Sequence, residues 1–359
     1  GTLGVADGGF GPAMWEGTRR GLVERLLPRL PAETQSRAMR GLMRRLLLSA
    51  AKAPQGKSTG ASLVALRVER LAAMGEIVGA RDLLGAVRDR SASESLQRSE
   101  TDVLFMANDN ARACPLVARL VGTSASVHWQ KAFIFCQALA GEHDRAELGI
   151  GLLREKGVKD EVFYGLIDSL ASREKFVIAS LAHPTPLHFA IARAARARLP
   201  ADVTSSNNPA VLRIVATSPN ARARLRLESA ERAEAMGSLP TNFLRQLYAG
   251  ITIPEDVVAD LAKRKGNAPV PMARAYLYRN AIGEVVPTAV AETISRAIAM
   301  ARAGGYYPST ARVYLPVIER LAPRRELLWF APEAVRAFIA AGKPQAAGSW
   351  LDLLHLAAS

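Results

Sequence analysis

The sequence predicts an all-α fold, an α-solenoid or superhelix of stacked antiparallel helix pairs with about 18 to 20 helices. Three observations support this prediction. Alanines recur at a spacing of 33 residues, at Ala80, Ala113, Ala146 and Ala179. Apolar residues make up 49% of the chain and aromatic residues only 6%, so alanine and leucine supply most of the apolar content and favour helix over strand. The alternation of apolar and polar residues that marks strands is nearly absent.

Residues 1–60 are expected to form an irregular segment followed by a helical cap. The opening GTLGVADGGFGP is rich in glycine, and two amphipathic helices are predicted over 13–27 and 33–51, with prolines between them. The chain begins with Gly1 rather than methionine. This start is expected if an upstream segment, either a targeting peptide or a tag, has been removed.

Residues 61–200 are expected to contain repeated helix pairs, each built around a turn. A glycine just past a helix adopts the left-handed conformation that ends it, and an alanine early in the next helix lets two helices approach closely. Three units agree well, whereas the fourth keeps its first helix and its alanine and then diverges. The turn residue lies five positions before each alanine, at Gly75, Asn108, Gly141 and Glu174.

The Gly-x4-Ala turn, followed by bulky residues at two positions of the next helix, resembles the tetratricopeptide repeat. Residues 74–84 and 140–150 are most similar to its turn and second helix. Residues 341–354, with Gly342 and Ala347, form a late copy. The resemblance implies a tetratricopeptide-like solenoid whose concave face binds peptides or partner helices.

Residues 201–359 are expected to continue the helical repeats, with glycine or proline at many of the connections. The polar stretch VTSSNNP, residues 203–209, is the best candidate for a boundary. One continuous solenoid and two solenoids joined near this stretch both remain open.

The chain contains two cysteines, Cys114 and Cys136. In a tetratricopeptide-like register, Cys114 lies early in one second helix and Cys136 late in the next first helix. Such helices are neighbours in a solenoid, so a disulfide is geometrically possible and would indicate an oxidising compartment. The alternative is a pair of buried free thiols, which behave as small apolar side chains.

No motif predicts a cofactor, a metal site or catalysis. The GKST sequence at 56–59 is similar to part of a phosphate-binding loop, but that motif needs a glycine where Ala51 stands and a strand before it. Residues 172–175 match a bare Ser-x-x-Lys, which is too short to indicate a nucleophile. His183 and His188 flank two prolines and lack the cysteine or carboxylate partners of a zinc site. We therefore expect no cofactor, no metal and no enzymatic activity.

The charge balance is strongly basic. The chain has 47 Lys and Arg against 33 Asp and Glu, a formal net charge of +14. This balance indicates nucleic acid, an anionic membrane surface or an acidic partner, unless the arginines simply solvate helix faces. Aromatic residues do not alternate with the arginines, as a platform for stacking bases requires. No apolar run approaches the about 18 residues that indicate a membrane span.

These observations favour a non-enzymatic scaffold or adaptor that binds an acidic or peptide-like protein partner on its helical-repeat surface. A bacterial cell-envelope complex in the periplasm is the expected setting, and the cytoplasm is the alternative. Tyr306, Tyr307 and Trp329 are candidate partner contacts, because aromatic residues are enriched at interfaces. The other functions that we keep open are a basic nucleic-acid-binding repeat protein and the helical arm of a cell-wall enzyme, since lytic transglycosylases carry such arms.

Overall fold

A computed structural model describes residues 1–58, 60, 62–87, 93–262 and 270–358. Over these residues the chain contains 19 α-helices and no strand, so the prediction of an all-α fold is confirmed. The stacked arrangement of a solenoid stays a prediction. No described helix is both long enough and apolar enough to cross a membrane. The chain divides into two compact units, Gly1–Arg222 and Ala223–Ser359.

Within the described part of the first unit there are eleven α-helices, most of which begin at a side chain that accepts a hydrogen bond from a backbone N–H of the first turn. Ser36, Ser62, Asp109, Ser126, Asp160, Thr185 and Asn208 play this part, and each such cap is worth about 1 kcal/mol. The helices are α1 (Arg20–Leu26), α2 (Arg37–Leu48), α3 (Leu63–Ala73), α4 (Ile77–Gly85), α5 (Glu94–Met106), α6 (Asn110–Leu120), α7 (Val127–Leu139), α8 (His143–Glu155), α9 (Glu161–Ser172), α10 (Pro186–Ala194) and α11 (Pro209–Thr217).

Three consecutive helix pairs, α3–α4, α5–α6 and α7–α8, form hairpins in this unit. The residue at each turn has a left-handed backbone, with φ of 74° at Gly75, 58° at Asn108 and 81° at Gly141. The alanines that follow each turn by five residues, Ala80, Ala113 and Ala146, are buried. A larger side chain at any of the three would push the paired helices apart.

The fourth repeat has a first helix, α9, but no second helix. Arg173 ends α9 with a φ of 61°, and residues 173–185 have no helical structure. Ala179 is exposed in this irregular stretch. It therefore does not take the packing position that the 33-residue period assigned to it. The prolines at 184 and 186 explain the difference, because the residue before a proline is steered away from helical angles.

The chain after α9 folds back onto the first helices of the pairs. Helix α10 contacts α5, α7 and α9, and α11 contacts α3. The approach at α11 is close, since a Cβ atom on Gly75 would lie 3.1 Å from the carbonyl oxygen of Pro209. The polar stretch 203–209 thus lies inside the first unit, and part of the face expected to hold a peptide is covered by the protein's own chain.

Cys114 of α6 and Cys136 of α7 are joined by a disulfide, with their Cα atoms 5.5 Å apart. The bond links the second helix of one pair to the first helix of the next. The two cysteines are 22 positions apart in the sequence, and the segment between them includes the whole connection between α6 and α7. The described part of the chain has no free cysteine.

The described residues of the second unit form eight α-helices, and each helix from α15 onward contacts the next along the chain. Gly342, with φ of 79°, ends one of them, and Ala347 is buried in a short 3-10 turn before the last. The helices are α12 (Ala223–Met236), α13 (Thr241–Gly250), α14 (Glu255–Ala262), α15 (Val270–Gly283), α16 (Pro287–Ala303), α17 (Tyr307–Ile318), α18 (Ala331–Ala340) and α19 (Gly348–Ala358).

Candidate functional site

The three aromatic residues expected to contact a partner differ in their surroundings. The guanidinium of Arg274 lies 4.9 Å from the centre of the Tyr306 ring. The hydroxyl of Tyr307 donates a hydrogen bond to Glu333 Oε1 at 2.9 Å. Only Trp329 leaves half of its surface open, at 52% exposure. The two tyrosines are therefore held by polar contacts, whereas Trp329 packs on the ring of Phe330, with ring centres 5.8 Å apart, and is the most exposed of the three.

A buried ion pair in the second unit joins Glu231 of α12 to Arg274 of α15. Arg274 Nε donates to Glu231 Oε1 at 2.8 Å, and the hydroxyl of Tyr248 donates to the same oxygen at 2.7 Å. Burial, and then the carboxylate of Glu231, raises the pKa of Tyr248 well above its ordinary value. The cavity beside them has a volume of about 10 Å³, which is room for one water molecule. The group is too enclosed to admit a substrate.

A second buried carboxylate, Glu234, lies one turn further along α12. It accepts hydrogen bonds from Arg312 Nε at 2.8 Å and Thr241 Oγ1 at 2.6 Å, and another from the hydroxyl of Ser309. These donors outweigh the effect of burial and lower the pKa of Glu234. Glu231 and Glu234 thus tie α12 to α13, α15 and α17, and their oxygens are occupied by protein donors.

One constellation in the first unit has the distances of a hydroxyl–imidazole–carboxylate triad. The hydroxyl of Thr185 lies 2.9 Å from His188 Nδ1, and His188 Nε2 lies 3.1 Å from Asp160 Oδ2. Each residue also has a structural role. Thr185 and His188 form a capping box at the start of α10, and Asp160 caps α9 while binding Lys131 Nζ at 2.6 Å. Helix capping accounts for the contact between Thr185 and His188, and the contact between His188 and Asp160 links the starts of α10 and α9.

The remaining chemical motifs have local roles. The hydroxyl of Ser58 donates to Glu24, and Thr59 lies outside the described residues. Ser172 bonds to the carbonyl oxygen of Asp168 at 3.0 Å. Among the described residues, no group of three or more His, Cys, Asp or Glu side chains is arranged to hold a metal ion.

The strongest candidate for a binding site is a cleft lined by Arg193, Arg196, Arg198, Pro219 and Asn220, which we call the arginine cleft. Its volume is about 470 Å³. The cleft forms where α10 ends, because Arg196 takes a left-handed backbone with φ of 51° and turns the chain. The side chain of Asn220 then donates hydrogen bonds to the carbonyl oxygens of Ala192 and Ala197, at 2.7 and 3.1 Å. These bonds hold the loop at Asn220 against the end of α10, and the two together form the wall of the cleft.

The charge of the arginine cleft is not neutralised by carboxylates. None of the three arginines forms an ion pair with a described residue. Burial without a counter-ion lowers the pKa of the half-buried Arg193. The C-terminus of α10 favours cations nearby, but that effect is worth about 0.3–1 kcal/mol and does not replace a counter-ion. The cleft is therefore suited to an anion.

Composition and net charge do not reveal this cleft. A signal for it exists in the sequence, since Arg193, Arg196 and Arg198 fall within six residues. In addition, no Asp or Glu occurs between Glu174 and Asp202. The pattern alone did not reveal that a loop distant in sequence, at Asn220, completes the wall.

No family model matches this chain, and no curated protein or solved structure matches it either. Function is therefore argued from the geometry of the chain itself.

Proposed function

We propose that this protein is a non-enzymatic scaffold or adaptor that binds an acidic segment of a protein partner in the arginine cleft. The observation that carries the proposal is the set of three arginines at one cleft with no carboxylate paired to them. Two of the three, Arg196 and Arg198, are exposed and free to form bidentate bonds with carboxylates. Because half-buried Arg193 lacks a counter-ion, an incoming carboxylate is attracted to it more strongly than to a fully hydrated lysine.

The cleft favours a protein ligand over a nucleic acid. No aromatic residue lines it, whereas sequence-independent binding of single strands relies on bases stacked on aromatic rings. Its walls are short, since the lining comes from the end of α10 and one loop. A site of this size fits a few carboxylates better than a long phosphate backbone.

The disulfide supports a periplasmic setting within a bacterial cell-envelope complex. Disulfides persist in oxidising compartments and are rare in the cytosol. Cys114 and Cys136 are the only two cysteines in the sequence, and they are bonded to each other. A non-enzymatic role is supported by the polar clusters, because the carboxylates of Glu231, Glu234 and Asp160 are engaged by protein donors.

The test is binding of a fluorescent, blocked octapeptide of alternating glutamate and glycine to the full chain, measured by anisotropy. The triple variant Arg193→Gln/Arg196→Gln/Arg198→Gln is expected to bind at least about 10-fold more weakly, the loss of ~1.4 kcal/mol or more. The affinity of the wild type is expected to fall as salt rises.

The matched control is Arg119→Gln/Arg324→Gln/Arg325→Gln, which removes the same charge from exposed arginines elsewhere. This variant is expected to bind like the wild type. An equal loss in both variants would mean that net charge, and not the cleft, attracts the peptide. A different outcome would favour the nucleic-acid function instead. In that case a single-stranded RNA oligomer binds more tightly than the peptide, and the triple variant of the cleft loses this binding.

A further inference from the structure

A second cavity, of about 250 Å³, lies between α3, α5, α10 and α11 in the first unit. It exists because α10 and α11 cover the first helices of the pairs without filling the space between them. Ala72 and Ala73 on α3 are small, so the wall that they form is set back. The opposite wall is apolar and larger, with Phe189 on α10 and Ile214 on α11.

Two carboxylates line this otherwise mainly apolar cavity, Asp102 on α5 and Glu69 on α3. The lining also includes one cation, Arg70, which lies near one of these two carboxylates. Arg70 Nη1 lies 3.5 Å from the carbonyl oxygen of Leu30, and Nη2 lies 3.6 Å from Glu69 Oε1. The balance of charge at the cavity is therefore negative, the opposite of the arginine cleft.

Asp102 has no hydrogen-bond donor among the described residues. Nε2 of His128 on α7 lies 3.9 Å from Asp102 Oδ1, which is too long for a hydrogen bond. His128 Nε2 is itself buried without a partner. The side chain of Asp102 is 26% exposed, and because no protein donor reaches its carboxylate, its oxygens are available to a ligand in the cavity.

We propose that this cavity binds a small organic cation, an ammonium group carried on a short aliphatic body. The ammonium group would bind Asp102, with Glu69 adding to the negative field. The aliphatic body would lie against Phe189 and Ile214. An anion is repelled by both carboxylates, and a neutral apolar molecule leaves Asp102 without a donor. The proposal does not rest on the arginine cleft, because the two sites select ligands of opposite charge.

The test compares n-butylammonium with 1-butanol, which has the same aliphatic body without the charge. Binding to the full chain is followed by two-dimensional NMR, with chemical-shift changes expected at residues of α3, α5, α10 and α11. We expect 1-butanol to bind at least about 10-fold more weakly than n-butylammonium, as one charge-assisted hydrogen bond predicts. Equal binding of the two would overturn the proposal and leave a purely apolar cavity.

Two variants test whether Asp102 is the carboxylate that binds the ammonium group. Asp102→Asn keeps the shape of the site and is expected to weaken n-butylammonium binding at least about 10-fold. Asp144→Asn removes an exposed carboxylate on α8 and is expected to change nothing. Unchanged affinity in Asp102→Asn would overturn the proposal. A further variant, Ala73→Leu, narrows the cavity and is expected to weaken both ligands equally, with its thermal stability measured beside it.

The source of the ammonium group is identified in a third arm with Nα-acetyl-lysine methylamide. If n-butylammonium binds, the blocked lysine does not, and Asp102→Asn weakens the binding, the result supports a free amine as the ligand. Comparable binding of the blocked lysine supports a lysine side chain of a partner. The arginine-cleft triple variant is expected to keep its affinity for n-butylammonium, so failure of one site is distinguishable from failure of the other. If neither amine binds, the proposal is wrong.

Discussion

At the scale of single residues, several charges in this protein are stabilised by backbone carbonyls rather than by opposite charges. Arg67 is buried, and it donates to the carbonyl oxygens of Leu47 and Ser49, at 2.5 and 2.9 Å. These carbonyls belong to the end of α2, where the last groups of a helix lack partners within it. Burial lowers the pKa of Arg67 to about 10, so the side chain stays charged at neutral pH while it caps the helix.

His128 and Asp102 respond to burial in opposite ways. Burial, and then the charge of Arg98, lowers the pKa of His128 from 6.5 to about 4. Burial raises the pKa of Asp102 from 3.8 to about 6, and Glu69 adds to the increase while Arg98 opposes it. Burial thus shifts both pKa values in the direction of the neutral form, yet Asp102 stays ionised at pH 7 while His128, 3.9 Å away, is neutral.

The first prediction concerns acid sensitivity between about pH 6.5 and pH 4. In this window His128 binds a proton in the unfolded state but not in the folded state, so this residue makes the fold less stable as pH falls. Asp102 acts the other way, because below about pH 6 the folded state binds a proton before the unfolded state does. We expect His128→Gln to reduce the acid sensitivity and Asp102→Asn to increase it, each by up to about 3 kcal/mol.

Urea unfolding of the full chain at pH 7 and pH 4.5 would measure both changes. His355→Gln, at an exposed position on α19, serves as the control and is expected to behave like the wild type. If the two variants shift acid sensitivity in the same direction, burial is not the dominant effect at this pair.

At the scale of elements, the sequence predicted the helix pairs well where local signals agree. Glycine or asparagine at the turn, alanine five residues later and apolar helical faces all point to α3–α4, α5–α6 and α7–α8. The prediction was less informative for residues 173–222, where tertiary contacts decide the path. Phe176, for example, packs so tightly on α9 that a Cβ atom on Gly165 would lie 2.2 Å from its ring. Periodicity cannot report such a contact, because it involves an irregular segment.

The candidate sites were harder to predict than the helices for the same reason. The arginine cleft joins the end of α10 to a loop more than twenty residues away, at Asn220. The cavity between α3, α5, α10 and α11, which we propose binds an ammonium group, is lined by residues as distant as Glu69 and Ile214. Both sites are created when α10 and α11 fold back, an event that no local pattern records.

The second prediction concerns the link between α6 and α7. Closing a loop of this length restricts the unfolded chain, so replacing both cysteines, in Cys114→Ala/Cys136→Ala, is expected to lower the free energy of unfolding by about 3 kcal/mol. Hydrogen exchange would measure this as faster exchange of amides in α6 and α7. The wild type treated with a reducing agent provides the comparison and is expected to match the variant. Unchanged exchange in both would show that the bond adds no stability.

At the scale of the whole molecule, the dominant property is a formal net charge of +14. Close ion pairs such as Arg274 with Glu231 and Arg312 with Glu234 are buried and little affected by salt. The excess arginines, in contrast, repel one another and act against the compact state. Composition alone predicted this excess, but not that part of it gathers at one cleft.

The third prediction follows from that repulsion. Raising sodium chloride from about 10 mM to about 200 mM screens the excess charge, and it is expected to raise the Tm of the full chain by about 2 to 4 °C, the shift that ~1 kcal/mol produces. Differential scanning fluorimetry would measure it. Arg119→Gln/Arg324→Gln/Arg325→Gln should show a smaller effect of salt than the wild type. A Tm that falls as salt rises would mean that attractive ion pairs outweigh the repulsion.

The return of α10 and α11 onto α3, α5 and α7 has a consequence for the protein during its synthesis. The helix pairs are complete once α8 has left the ribosome at Glu155, yet the covering helices end only at Thr217. At a translation rate of about 5 to 20 residues per second, the apolar face stays open for several seconds. During that interval the nascent chain presents a surface that a chaperone recognises and that the finished protein conceals.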